Sequence, residues 1–350
     1  PEAIDLAVEA YGKIGAGSSP ADQREIVNNL QAFILIYQKN ERATLLLGRV
    51  YFDMADWTNA VSTLKRVTDS ADVDPSNPII QEALYYQGVA QRHLGRNQAA
   101  AASLQRIVDN DGGNYDVYVE LGELRLKETR YKDAYDLFDK ALALDATKVR
   151  PWLNKGLVLT ETGLNDEALT SLKKAAELDP HDPEIRYQIA RNYLAKGNFD
   201  EAIRLGRAIV RVVQRRIENK STAEQARLLS DCFMLLGDAN GRLGDHEVAR
   251  QRYQRAIDYT PASGRGYEAM ALSYQSDGLH KEAQEAFEKA MSLEPKNPEY
   301  ALNLGIHWHK YIRNPRKALP YYEKYLELGG RNPRVWTWIE ECGGTPSPNK

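Results

Sequence analysis

Side chains with the chemistry to act on a substrate are sparse in this chain of 350 residues. His307 and His309 lie two apart in a stretch that reads as helix, which sets them about 200° apart around its axis. Two rings so placed cannot easily share a metal, and one is expected to be packed and the other solvated. Asp109, Asp111, Asp116 and Glu120 stand where a calcium loop would want ligands. However, the sixth place, which needs glycine for the sharp turn, holds Asn114, and Glu120 falls inside a helical run. A helix end with Gly112 or Gly113 in the left-handed conformation accounts for the stretch better. Cys232 and Cys342 are too few for a zinc cluster or a disulfide framework. The sequence has no phosphate-cradling glycine loop, Gly-x-Ser-x-Gly, His-Glu-x-x-His or Cys-x-x-Cys. The reading is a protein that is not an enzyme, with no metal and no cofactor.

One charged pattern stands out. Arg204, Arg207, Arg211 and Arg215 recur at intervals of 3, 4 and 4 and therefore share a helix face. A basic stripe of this kind suits an acidic protein surface or an anionic membrane, although an ordinary solvated face has the same appearance. The rest of the chain is balanced, with 27% charged residues and a net charge of -3. No nucleic-acid partner is expected from that balance. There is no run of 18 apolar residues and no signal peptide, so membrane contact is expected only indirectly or through a segment ahead of Pro1. The compartment, cytoplasmic or membrane-anchored and periplasmic, is left open.

The elements that position these residues repeat. From Val149 to Asp182, two apolar helical runs, Leu153 to Glu161 and Glu167 to Leu178, flank the turn Thr162-Gly163-Leu164-Asn165. Trp152, Gly156, Leu159, Gly163, Ala168, Leu172, Ala175 and Pro180 mark the unit. Its small residue recurs as Gly48, Gly88, Gly122, Gly156, Ala190, Gly237, Ala271 and Gly305. A second small residue recurs as Ala60, Ala100, Ala134, Ala168, Ala202, Ala249 and Ala283, with Ala318 displaced by one. Most steps are 34 residues. A helix pair of this size cannot bury its own apolar edge and needs neighbours of the same kind.

These residues resemble the tetratricopeptide repeat (TPR). The resemblance implies an all-α fold, a right-handed superhelical α-solenoid of helix-turn-helix units, read as one elongated domain. Eight units are expected, at 41–74, 81–114, 115–148, 149–182, 183–216, 230–263, 264–297 and 298–332. Insertions fall at 75–80, a proline-bounded loop, and 217–229. Residues 1–40 read as a capping helix pair, with Ile4, Val8 and Tyr11 on one helix and Ile26, Leu30, Phe33 and Tyr37 on the other. Residues 333–350 read as a closing helix and tail. Between Asn198 and Arg242 the pair is expected to be long, capped by Ser221 or Thr222, with the missing bulk at Gly206 supplied by the helix that follows. Pro320, inside the last pair, is expected to bend it.

In proteins of this family the first helix of each unit lines a concave groove for an extended peptide. Carried onto this chain, the resemblance places Arg49, Tyr85, Arg92, Arg150, Asn154, Tyr187, Gln188 and Arg191 there, with Glu123, Asp238, Glu268 and Asn303 nearby. Amides at Asn154 and Gln188 can bond both N–H and C=O of a peptide backbone. The carboxylate clamp by which some TPR adaptors hold chaperone tails is missing, because Val119 and Glu123 stand where it needs Lys and Asn. The function implied is a protein-protein interaction scaffold or adaptor, whose partner is a protein or peptide, such as an acidic or C-terminal segment. The alternatives are the interaction arm of a larger enzyme and a membrane-anchored bacterial assembly factor.

Overall fold

The computed structural model describes residues 20–37, 40–69, 74, 76–217 and 222–345. Among them every regular element is a helix. The first compact unit, Pro1–Asp179, contains α1 (Pro20–Ile36), α2 (Glu41–Asp53), α3 (Trp57–Thr68), α4 (Pro78–His93), α5 (Asn97–Val108), α6 (Tyr115–Lys127), α7 (Tyr131–Leu144), α8 (Val149–Glu161) and α9 (Asn165–Leu178). The second, Pro180–Lys350, contains α10 (Pro183–Ala195), α11 (Phe199–Arg215), α12 (Ala223–Arg242), α13 (His246–Tyr259), α14 (Arg265–Ser276), α15 (His280–Leu293), α16 (Pro298–Ile306), a π-helical segment (His307–Tyr311), α17 (Pro315–Glu327) and α18 (Arg334–Glu341). The periodicity suggested one elongated domain, whereas the contacts divide the chain into these two units.

Within each unit, antiparallel pairs form because a small residue on the first helix receives a large one from the second. A Cβ added at Gly122 would lie 2.6 Å from Phe138, one at Gly156 2.6 Å from Leu172, and one at Gly305 2.6 Å from Tyr322. The receiving rings and branched chains are fully buried, each contributing about 1.5–3 kcal/mol of apolar burial. In the α10–α11 pair both positions are small, with Ala190 on the first helix and Gly206 on the second. The space above Gly206 is taken by Leu235 and Leu236 of the long α12. Thr222 caps α12 through a reciprocal bond with Gln225, while the other residues proposed for that turn, 219–221, lie outside the described residues.

The turn inside each pair needs one residue in the left-handed region. Gly95, Gly163, Gly197, Gly244 and Gly278 supply it at φ between 73° and 87°. Ala55, Thr129 and Arg313 adopt it at 56°, 58° and 59° without being glycine.

Several local expectations are corrected. The insertion at 75–80 is not loop throughout, because Asn77 caps a helix whose first residue is Pro78. Asp111, at φ 55°, takes the left-handed position assigned to Gly112 or Gly113. In α1 the buried face is Ile26, Leu30 and Ile34, while Tyr37 is 56% exposed and Phe33 stacks on it. The partner helix proposed for residues 1–19 lies outside the described residues. α17 is continuous through Pro320. An irregularity sits one element earlier, in the π-helical His307–Tyr311, where Ile312 N–H reaches back five residues to the His307 carbonyl. A π turn absorbs one extra residue, which is why Ala318 is displaced by one. Val335 and Ile339 of α18 are buried against the last pair.

Candidate binding grooves

In the first unit the helices α2, α4, α6 and α8 bring forward the side chains that the repeat pattern assigns to the groove, and there they form charge pairs. Arg49 reaches Glu82 at 2.9 Å and lies 5.3 Å from the centre of the Tyr86 ring. Tyr85 packs edge-on against Tyr86. Its hydroxyl is pushed up to about 12 by burial first and then by Asp116 and Glu120. Arg92 stands 3.0 Å from Glu120 and 3.6 Å from Glu123. Arg150 meets the same two carboxylates at 3.1 and 2.7 Å, and the Asn154 amide donates to Glu123 at 2.9 Å. Burial would lower the Arg150 guanidinium, but Glu123 and Glu120 more than offset it, and the net shift is upward.

Two carboxylates thus sit between two arginines, and their charges compensate. Glu120, only 5% exposed, is the residue that sequence reasoning missed. It occupies in α6 the place that Asn154 occupies in α8, a signal that was available but was absorbed into the calcium-loop pattern. That loop is not formed: Asn114 caps α6 by accepting from the Val117 N–H.

In the second unit the Gln188 amide donates to Glu184 at 2.9 Å and its carbonyl faces Arg191 at 3.4 Å, so both ends are engaged within the chain. Tyr187 is half-buried, its hydroxyl raised by burial and by Asp231. Asn303 donates to Glu268 at 2.6 Å, and Arg265 pairs with Asp231 at 3.1 Å. Beside these lies an open pocket of about 790 Å³, lined in part by Arg191, Asp238, Arg242, His246 and Leu272. Arg242 is exposed and Leu272 is 44% exposed. Tyr253 donates to Asp238 at 2.9 Å. Leu272 occupies a place that the repeat pattern marks as ligand-facing, whereas Arg242 and His246 lie outside those places and were not foreseen.

The expected arginine stripe divides. Arg204 pairs with Glu201 at 2.6 Å, and Arg215 is exposed. Arg207 and Arg211 line a separate cleft with residues of α13. His307 is fully buried, with Nδ1 2.9 Å from the Gln275 amide and Nε2 3.1 Å from the His280 carbonyl. His309 is half-buried rather than solvated, 3.2 Å from the Tyr322 hydroxyl and 3.4 Å from Glu341. Among the described residues no group of three His, Cys, Asp or Glu side chains could hold a metal ion, and no helix is long and apolar enough to cross a membrane.

Family models described as tetratricopeptide repeat match residues 45–115, 94–149 and 119–183 with one model, 159–218 with a second, and 230–263 and 264–297 with a third. The chain belongs to the tetratricopeptide repeat family. A TPR protein from Parabacteroides merdae aligns with a TM-score of 0.63 at 16% identity, covering 76% of this chain and 98% of that one, a likeness of fold alone. Among curated relatives, a BBSome complex member BBS4 homolog from Drosophila melanogaster is 30% identical over 170 residues, 47% of this chain and 33% of its own length. Protein O-mannosyl-transferase TMTC1 from Homo sapiens is 25% identical over 219 residues, 61% of this chain and 22% of its own. The TPR chain therefore spans a third or less of these two relatives. Its repeats form a fold that is typically non-catalytic and suited to protein-protein interaction.

Proposed function

We propose that this TPR protein is a non-enzymatic scaffold that holds a segment of a partner protein against the first-helix faces of its repeats. The pocket beside α10, α12 and α14 is the main point of contact. The observation that carries the reading is that pocket's composition. An exposed cation, Arg242, and a second guanidinium, Arg191, line the same pocket as an exposed apolar side chain, Leu272. A C-terminal carboxylate or an acidic side chain flanked by an apolar one fits such a pocket, since charge-assisted bonds fix the segment and the leucine removes its neighbour from water. The ion-paired groove of the first unit suits a ligand of mixed polarity instead, because each arginine there already has a carboxylate.

The membership of a relative in the BBSome complex supports a role in assembly. The likeness to an O-mannosyl-transferase, of which the chain spans 22%, favours a second reading as the interaction arm of a larger enzyme.

The test uses partners identified by crosslinking in the source cell, then titrated against the purified chain. Replacing Arg191 and Arg242 by Ala is expected to weaken binding by about 1–3 kcal/mol per charged hydrogen bond lost, with thermal unfolding almost unchanged. Asn154→Ala reports on the first unit in the same assay. A partner whose affinity survives all three substitutions does not use these surfaces.

A further inference from the structure

On the second-helix side of the second unit, α11 and α13 run on either side of a cleft of about 560 Å³. Its rims are four arginines, Arg207 and Arg211 from α11 and Arg252 and Arg255 from α13. Its floor is apolar, made by Val210, Phe233 and Leu236. The Arg255 guanidinium lies 5.9 Å from the centre of the Phe233 ring, which ties rim to floor. Only Asp258 answers this charge, at 3.4 Å from Arg255. Among the described residues no carboxylate pairs with Arg207, Arg211 or Arg252, and the buried Nε of Arg252 has no hydrogen-bond partner.

Four guanidiniums converging around one carboxylate are self-repelling, and a chain with a net charge of -3 has no general need for such a patch. Elsewhere in this unit some arginines find carboxylates: Arg250 meets Asp277, and Arg265 meets Asp231. Of the four arginines around the cleft, only Arg255 does. Arg207, Arg211 and Arg255 are exposed, Arg252 is half-buried, and Val210, Phe233 and Leu236 between them are apolar.

We propose that this cleft is a docking site, separate from the first-helix surface, for an acidic segment of a partner protein that carries one bulky apolar side chain between its carboxylates. The apolar side chain sits over Val210, Phe233 and Leu236, and the flanking carboxylates pair with Arg207 and Arg211 on one rim and with Arg252 and Arg255 on the other. Planar guanidiniums suit this role because each accepts a carboxylate through two parallel N–H bonds. A membrane surface is the weaker fit. The apolar floor is recessed between two helices, where a flat layer of headgroups touches the rims and leaves the floor uncovered.

The test takes the whole chain and a fluorescent peptide of about eight residues in which Phe-Leu is flanked by Glu and Asp, read by fluorescence anisotropy at low salt. The peptide is expected to bind with an affinity that falls as salt rises. Reversing Arg207 and Arg211 to Glu is expected to weaken it about tenfold or more, and Arg207→Lys with Arg211→Lys to recover part of the loss. Replacing Phe-Leu by Ser-Ser in the peptide is expected to abolish binding at the cleft, and the loss on reversing Arg207 and Arg211 is expected to be of the same size with or without Arg242→Ala. The idea is overturned if the peptide does not bind, or binds the Glu variant equally. It is also overturned if the Ser-Ser peptide binds as well, or if only anionic phosphatidylserine vesicles respond to the arginine reversal. Both rim positions are exposed helix-surface sites, and an unchanged circular dichroism spectrum and Tm confirm that each variant is folded.

Discussion

Thr129 turns the chain between α6 and α7 at a φ of 58°, where most of the equivalent turns have glycine. A β-branched residue in the left-handed region costs about 1–2 kcal/mol, and Thr129 is exposed with no buried contact to offset the strain. Thr129→Gly is expected to raise stability by about 0.5–1 kcal/mol after the added freedom of the unfolded chain is allowed for, measured by urea unfolding. His307 makes the opposite kind of statement. Burial, with the nearby His280 as a lesser contribution, holds its ring below the ordinary value, and its carbonyl contact to His280 only partly offsets this. A neutral ring keeps both contacts when Nε2–H donates to the carbonyl and the Gln275 amide is turned end for end. The folded state therefore binds this proton less readily than the unfolded state. The contribution is present in full above about pH 6.5 and lost as pH falls through the lower folded-state value. His309 shifts in the same direction, through burial and then Lys310. Stability is expected to decline between pH 7 and 5, and His307→Asn to flatten that decline in thermal melts across the range. Neither behaviour was legible in sequence. A threonine or a histidine is the same letter whether its backbone is strained or its ring is sealed in the core.

Pairs of helices are held by complementary sizes, and here the sequence spoke clearly. Gly122 stands across from Phe138, Gly237 from Tyr253, and Gly48 from Leu64. Gly122→Ala sets two effects against each other: helix propensity favours alanine by about 1 kcal/mol, while a methyl 2.6 Å from a fully buried ring forces repacking. Overpacking costs about 1–3 kcal/mol, so the net change is expected to be destabilising. Hydrogen exchange should quicken in α6 and α7 and stay slow in α16 and α17, since repeats answer mainly to their neighbours. The period of 34 made such pairings readable because each glycine and its partner recur at fixed offsets. The π segment was not readable in the same way. One extra residue in the last repeat left a mark only at Ala318, and Pro320, whose chemistry offered a ready explanation, was assigned the irregularity instead.

At the scale of the molecule, the repeat pattern specified how helices pair and said little about what the surfaces carry. Arg92 and Arg150 pointed to an acidic ligand with Glu123 counted beside them, whereas the second carboxylate, Glu120, was not counted, and both come from the helix between the two arginines. Charge on such a surface is a property of neighbours in space, and a residue list by repeat does not say which charges pair. The two units each carry their own buried clusters, and the pocket near Arg242 and the cleft near Arg252 belong to the second alone. The neutralisation of the first groove has a consequence for how this protein changes over generations. Genes of repeated units lose and gain whole copies by slippage. Excising residues 115–148 would keep the register of the pairs on either side, yet it would remove both glutamates at a stroke and leave Arg92 and Arg150 facing solvent. A neutral groove would become a cationic one with no point mutation at all, so the currency of specificity on this face is the copy number of its repeats as much as the spelling of any one of them.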